Sequence, residues 1–432
     1  MRTLRNRLMI AIITLCMLFS SFSFAVGAYE LDRSEASVGG YYLYNVENDL
    51  VMAQGNSADL ISPSSTVKIM TACIALETDI PRDKVITVTS EMLDGVVGRN
   101  MRLDVGDRVT YDDLLYATVC GGYNDAAHAL ALTVSGSMTE FVDLMNEKAR
   151  ELGMTSTNYV NVTGIQATGM STTVEDIAKL ATYMSKNDEF LGIGATKSYR
   201  ISSSATCDFT TVTNRSGLLA SYKGMSNINT GSGDFGDCAV LCYKRNGLTF
   251  ITVVMNSSAY DKDDQTNFAE LYSKRLIAHA MNDYSQRKIL ETKNVVASLP
   301  VKYSISGDEV NLYPANAVSL FLPTELDIKE ELSYSTYIYT NELQAPLNAG
   351  DVVGELIISH DGRILATVPL VIKESVEKNG FLYAIEIMKD YILSRAFVLT
   401  LLSFGLIFVV YYLTKIRRLQ KMYRQQTRRG KR

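Results

Sequence analysis

The chain predicts an α/β (α+β) domain with a mixed sheet flanked by a helical cluster, then a small all-β domain and one C-terminal transmembrane helix. Three observations carry this expectation. Strand-like segments open the long central region, helical ones fill its middle and strands close it, which assembles one sheet from both ends with helices packed on it. From about Val295 to Lys373 the texture changes to short β-like runs and turns, including "DVVGELIISHDGRILATVPLVIK". Ala396 to Leu413 is an uncharged apolar run at the short end of membrane-spanning length. The 432 residues, 47% hydrophobic and 21% charged, suffice for about two globular domains between the terminal segments.

The elements follow in order. Residues 1–28 read as a secretory signal peptide: three arginines, an apolar run, then small residues at Ser23-Phe24-Ala25 and Val26-Gly27-Ala28. An uncleaved anchor helix is the competing reading, and Leu15 before Cys16 argues against a lipoprotein signal. "GGYYLYNVENDLVMAQG" reads as two strands around a Glu47-Asn48-Asp49 turn, followed by the apolar helix in "ISPSSTVKIMTACIALE" and a strand at "KVITVTS". "TYDDLLYATVC" opens with Thr110 and Asp113 in capping-box spacing. "NDAAHALALTVSG" and "TEFVDLMNEKARELG" are helices that end at glycine, and "STTVEDIAKLATYMSKN" is an amphipathic helix with a polar start. "DCAVLCYKRNGLTFITVVMNSS" is a hairpin turning at Asn246-Gly247, and "NFAELYSKRLIAHAMNDY" is a closing helix. Beyond the β domain, Phe381, Ile385, Met388 and Ile392 share one face of a juxtamembrane helix; packing of that face on the β domain is the alternative. The expected boundaries are 29–290 and 291–375 for the two domains, 376–395 for the juxtamembrane helix, 396–414 for the membrane span and 415–432 for a basic tail.

Charge separates along the chain. Of the 42 Lys and Arg, three lie in the first 28 residues and nine after Leu413, whereas all 47 Asp and Glu lie between. The intervening part therefore holds 30 basic against 47 acidic residues, a net charge of −17, which argues against nucleic acid as a partner. The positive-inside rule makes the basic tail cytoplasmic and puts the body outside the membrane; a buried core helix fits poorly with so basic a flank. The tail is a topology and lipid-headgroup feature. After Cys16 the cysteines are Cys73, Cys120, Cys207, Cys238 and Cys242, an odd and scattered set that is no disulfide framework. Cys238 and Cys242 have the even spacing that puts both on one face of a strand, as buried small side chains. His128, His279 and His360 are far apart and support no metal site, and no organic cofactor is implied.

The chemistry concentrates at Ser65 and Lys68. Three apart on a helix, they share a face one turn from each other. A serine hydroxyl is a poor nucleophile until a base takes its proton, and desolvation lowers a lysine's pKa so that its neutral amine can be that base. Ser62-Pro63 favours a helix start here, and a helix N-terminus stabilises negative charge developing near Ser65. The spacing alone is not selective. Ser285-Gln286-Arg287-Lys288 and Ser375-Val376-Glu377-Lys378 share it in charged, solvated surroundings, and a lysine snorkelling to a domain edge is the bland reading of Lys68.

The stretch "SVGGYYLYNVENDLVMAQGNSADLISPSSTVKIMTACIALE" resembles the start of the D-alanyl-D-alanine carboxypeptidases, the low-molecular-mass penicillin-binding proteins, where a strand pair precedes a Pro-x-Ser-x-x-Lys helix. The resemblance continues through "LLYATVCGGYNDAAHALA", "ELGMTSTNYVNVTGI" and "STTVEDIAKL", resumes at "APLNAGDVVGELIISHDGRILATVPLV" and covers roughly residues 37 to 375. It implies a serine β-lactamase/transpeptidase-like fold and a serine D-Ala-D-Ala carboxypeptidase that trims the terminal D-alanine of peptidoglycan stem peptides. It also implies β-lactams as covalent inhibitors and a single-pass location in a bacterial cell membrane. By the same resemblance Ser65 is the nucleophile, Lys68 the base, and Asn124 the Asn of a Ser-x-Asn motif that helps bind substrate and position the lysine. Thr230 and Gly231 match the Thr-Gly of a Lys-Thr-Gly strand, with backbone N–H groups of Ser65 and Ser232 as the oxyanion hole.

Two positions depart from that pattern. Gly122 replaces the Ser of Ser-x-Asn, whose hydroxyl relays a proton to the leaving amine. Asn229 replaces the Lys of Lys-Thr-Gly, whose charge attracts the substrate's terminal carboxylate. Loss of a proton relay commonly costs about two to four orders of magnitude in rate, and a neutral Asn229 binds a carboxylate less strongly. Tyr123 is a candidate replacement for the hydroxyl, and Lys223 or Lys244 for the charge. Two readings from different classes follow: a working serine carboxypeptidase, or a catalytically degenerate homologue that binds or organises cell-wall components at the membrane. A β-lactam-hydrolysing enzyme on the same chemistry has no residue that argues for it specifically.

Overall fold

The computed structural model describes residues 29–202, 206, 210–259, 266–340 and 342–429. The signal-peptide segment and Cys207 lie outside the described residues. The chain divides into two compact units, Met1–Ser285 and Gln286–Arg432.

The first unit is built on a five-stranded sheet from both ends of its sequence. Labelling the longer elements, β1 (Ala36–Asn45) and β2 (Leu50–Gly55) come first, and β3 (Met225–Gly233), β4 (Gly236–Arg245) and β5 (Leu248–Ala259) come last. The order across the sheet is β2-β1-β5-β4-β3. All four pairings are antiparallel, whereas a mixed sheet was the expectation. The reason is connectivity: three of the four neighbours are joined by tight hairpins, and a hairpin makes only antiparallel pairs. The β4–β5 hairpin turns at Asn246 and Gly247, both with positive φ as the expected Asn-Gly turn requires. Cys238 and Cys242 are fully buried on β4, as their even spacing predicts.

Between the two halves of the sheet lie the helices. A short 3₁₀ turn, Ser64–Thr66, feeds α1 (Val67–Leu76), and all ten residues of α1 are buried. Helix α2 (Tyr111–Tyr116) starts with the predicted capping box, Thr110 and Asp113 each satisfying the other's backbone N–H. Helices α3 (Asn124–Ser135), α4 (Met138–Glu151) and α5 (Val174–Met184) follow, and α6 (Phe268–Asn282) closes the unit. A further short helix, Asp188–Ala195, had no counterpart in the sequence reading. Ile69, Met70 and Cys73 of α1, Leu114, Leu130 and Ile177 from other helices, and Val240 and Val253 from the sheet belong to one core. A buried Leu or Ile side chain contributes about 1.5–3 kcal/mol, so the apolar faces around α1 hold the helix rigidly.

In the second unit six strands form one sheet: β6 (Ala297–Lys302), β7 (Glu309–Pro314), β8 (Ser333–Ile338), β9 (Leu343–Gln344), β10 (Val352–His360) and β11 (Arg363–Ile372). Their order is β8-β10-β11-β7-β6-β9, and the all-β texture expected over 295–373 is realised. The strand Tyr284–Leu290 pairs separately with Val318–Pro323. Helix α7 (Gly380–Leu393) buries none of its residues and leads through Ser394 into α8 (Arg395–Arg429). Within α8, Arg395–Met422 is long and apolar enough to cross a membrane.

Candidate active site

Ser65 sits in the 3₁₀ turn where the chain enters α1, and it is buried. The approach to it is tied to the sheet. Asn256 of β5 donates from Nδ2 to the Ser62 carbonyl at 3.2 Å and accepts from the Ser64 hydroxyl at 3.3 Å. β3 passes directly alongside. A Cβ on Gly231 would stand 2.3 Å from Ser65 Oγ, so only glycine lets the strand come this close. Asn229, two residues earlier on β3, grips the serine twice. Its Nδ2 donates to the Ser65 carbonyl at 3.1 Å, and Ser65 Oγ donates to its Oδ1 at 3.0 Å. The amide orientation is forced, because a carbonyl only accepts.

Lys68 lies one turn further along α1, 5% exposed. Its ammonium donates to the Thr163 carbonyl at 2.7 Å. That carbonyl is aimed by Asn161, whose Oδ1 accepts from the N–H groups of Thr163 and Gly164 at 3.1 and 2.8 Å. Burial disfavours the charged amine, and the positive charges of Arg215 and Arg99 add to that, bringing its pKa down to about 7. No carboxylate is paired with it among the described residues.

The opposite wall is made where α2 widens into a π-turn over Ala117–Gly121 and ends at Gly122, with φ +68° and ψ 28°. Such a left-handed residue favours glycine, so the missing serine and the local backbone go together. The Arg215 side chain runs past Gly122, its Cδ 3.4 Å from where a Cβ would stand, and its Nη2 reaches the Ser232 hydroxyl at 3.2 Å. Burial, reinforced by Arg99, lowers the pKa of Arg215. Arg99 itself donates to the Gly121 carbonyl at 2.7 Å and lies 4.8 Å over the Tyr123 ring. Asn124 opens α3, buried, with Nδ2 donating to the Val97 carbonyl at 2.7 Å.

Ser65, Asn229 and Gly231 are thus brought together, with Ser232 next along the strand and Lys68 beneath. Other expectations are revised. Ser65 and Lys68 make no hydrogen bond to each other: the hydroxyl is turned to Asn229 and the amine to Thr163. The Thr230 hydroxyl points off the cleft to Asn227 Oδ1 at 2.9 Å, because strand alternation sends it opposite to Asn229 and Gly231. Lys223 and Lys244 are exposed at the other end of β3, near Met225, about 20 Å of strand away from Gly231, so neither supplies the missing charge. Ser285 and Lys288 lie on a strand and Ser375 to Lys378 outside any helix, so neither pair shares a helical face. Thr163, Asn161, Asn256 and Arg215 were not foreseen. Only Asn161, three residues before Gly164, carried a turn signal.

Residues 30–259 match the family model described as D-alanyl-D-alanine carboxypeptidase. The chain belongs to this family. Residues 284–378 match the model of the penicillin-binding protein 5 C-terminal domain. Among curated relatives, the D-alanyl-D-alanine carboxypeptidase DacF of Bacillus subtilis is 26% identical over 394 residues, 88% of this chain and 96% of its own length. The D-alanyl-D-alanine carboxypeptidase of Streptomyces sp. strain K15 is 33% identical over 241 residues, 52% of this chain and 82% of its own. Penicillin-binding protein 5 from Haemophilus influenzae superposes with a TM-score of 0.58 over 81% of this chain and all of that one, at 22% identity, a likeness of fold. The first model thus falls within the first unit, and the second model falls almost wholly within the second.

Proposed function

We propose that this chain is a serine-type D-Ala-D-Ala carboxypeptidase that removes the terminal D-alanine of peptidoglycan stem peptides through an acyl-Ser65 intermediate. The observation that carries the mechanism is the buried Lys68 amine, one helical turn from Ser65, with its pKa lowered to about 7. A general base works best when its pKa lies near the operating pH. Once the Ser65 hydroxyl turns from Asn229 to Lys68, the neutral amine takes its proton as Oγ attacks the carbonyl of the penultimate D-alanine. The peptide C–N bond breaks, the terminal D-alanine leaves with a proton, and water later hydrolyses the ester. Backbone N–H groups of Ser65 and Ser232 receive the developing oxyanion. Asn124, Thr230 and Gly231 line the substrate groove on the family pattern, although Asn124 and Thr230 must release their present partners to touch substrate.

β-Lactams carry the same reactive acyl group and would acylate Ser65. The apolar segment of α8 anchors the enzyme in a bacterial cell membrane, with the acidic body outside and the basic tail in the cytoplasm. Intact-protein mass spectrometry of the detergent-solubilised chain with penicillin, beside Ser65→Ala, tests the reading. An adduct on the parent alone establishes Ser65 as the nucleophile. No adduct on either folded protein leaves the non-catalytic cell-wall-binding alternative.

A further inference from the structure

We infer that the first unit carries a second binding site, remote from Ser65, for a neutral N-acetylated sugar ring of the kind that builds a glycan strand. The site is a cavity of about 330 Å³ between the β1–β2 hairpin and α5. Tyr42 and Tyr44 reach it from one face of β1, their ring centroids 6.4 Å apart. Glu175, Lys179 and Tyr183 line it from α5, each one helical turn after the last, and Lys186 follows the helix. Two of the rings are braced. Tyr44 donates to Asp49, and Tyr183 donates to Glu77 at 2.7 Å with the Lys148 ammonium 5.6 Å over its ring. Tyr42 is the residue that points to a ligand. It is only 8% exposed, yet among the described residues its hydroxyl has no hydrogen-bond partner. Burial and the negative charges of Glu175 and Asp49 raise its pKa, so it stays a donor, and both carboxylates line the same cavity. A nearly buried hydroxyl that the protein leaves unpaired is costly unless something in the cavity bonds it.

The walls select the ligand. Asp49 and Glu175 balance Lys179 and Lys186, so the cavity favours neither a cation nor an anion. Lys179 is held by Asp176 at 2.8 Å, whereas Lys186 forms no ion pair among the described residues and is a free donor. Tyrosine rings offer apolar faces, and the polar rim offers acceptors and donors. A pyranose has the complementary form, with C–H groups on its faces and hydroxyls around its edge. An N-acetyl group adds a carbonyl for Lys186 or Tyr42 and an N–H for a carboxylate. An ammonium group, the other frequent guest of aromatic walls, would meet Lys179 and Lys186. The cavity is separate from the catalytic cleft. The row through Tyr44 crosses Ile251 of β5 and Cys242 of β4 to Ser226 of β3, five residues before Gly231. Strands about 4.8 Å apart and about 3.3 Å per residue put Tyr44 roughly 20 Å from Ser65. A sugar held there keeps the enzyme on the polymer whose stem peptides the proposed reaction trims, although the binding itself does not depend on that reaction.

The test uses the full-length chain in a detergent without a sugar headgroup. The probe is chitotetraose, a peptide-free oligomer of N-acetylglucosamine, and binding is read by calorimetry. Saturable binding is expected. Tyr42→Phe, which removes only the unpaired hydroxyl, should weaken it by about two- to tenfold, and Tyr44→Ala by about tenfold or more. The melting temperature of Tyr42→Phe should match the parent's, because the lost hydroxyl has no protein partner, and this controls for folding. Absence of saturable binding overturns the inference, as does binding that Tyr42→Phe leaves unchanged. Preference for a diamine over the sugar overturns it in favour of a cation site, and loss of binding after penicillin has acylated Ser65 overturns it by putting the sugar in the catalytic cleft. Penicillin acylation of the parent is measured separately, so failure of the proposed reaction and failure of the sugar site are told apart.

Discussion

Lys68 shows how one residue can be useful and costly together. Its proton is held less tightly in the folded chain, near pH 7, than at the ordinary lysine value of 10.5. Between those values the unfolded state binds more protons, so stability rises with pH across that window and the cost is greatest below pH 7. At about 1.4 kcal/mol per unit, the penalty is on the order of 5 kcal/mol. Replacement by Met removes it but orphans the Thr163 carbonyl, a loss of about 1–3 kcal/mol. Lys68→Met should therefore melt higher than the parent at pH 6–7, with the gap closing towards pH 10. The same substitution should abolish penicillin acylation, which in the parent should rise through about pH 7 to a plateau. Thermal melts and adduct formation across pH 6–10 check both; a gap independent of pH would mean that Lys68 is not held near neutrality.

Among the elements, α1 was the most legible in the sequence and its fastenings the least. A run without a polar face announces a buried helix, and Lys68 in its first turn stands three residues after Ser65 of the 3₁₀ turn that feeds it. The sheet built from both ends was readable from the order of strands and helices, and the hairpin from Asn246-Gly247. What fixes the segment around Ser65 is long-range. Asn256 meets Ser62 and Ser64 across more than 190 residues, and Thr163 meets Lys68 across 95. No local period encodes such contacts. The turn of Ser65 towards Asn229 was equally hidden, because it depends on how β3 passes α1. Asn256→Ala should loosen the segment entering α1 without touching the reacting atoms. Expected are a loss of about 1–3 kcal/mol from the broken hydrogen bonds to Ser62, Ser64 and the weakly donating Cys238 thiol, and slower acylation by penicillin, while the pH midpoint near 7 is kept. Chemical denaturation and the acylation rate measure the two effects, and a variant as fast as the parent would show that α1 alone positions Ser65.

For the molecule as a whole, the consequential feature is the run of exposed apolar side chains that begins before α8. Phe381, Ile385, Met388 and Ile392 fall on the helical face that the sequence predicted, and none is buried; among the described residues the ring pairs of α7 are Tyr383 edge-on to Tyr303 at 5.2 Å and Tyr391 edge-on to Phe397 of α8 at 5.6 Å. A face of this size is unusual against water and suits the boundary of a bilayer. Two truncations separate the contributions of α7 and α8. A chain ending at Leu393 loses the span but keeps α7, and should be extracted from membranes by high pH yet still bind vesicles reversibly. A chain ending at Lys378 loses both helices and should remain in the supernatant with vesicles of any composition. Both should form the penicillin adduct at the parent rate, since every residue of the site lies in the first unit. Sedimentation with vesicles reads the first comparison and mass spectrometry the second. Equal vesicle binding by the two would assign no membrane role to α7 and leave its apolar face to the β domain.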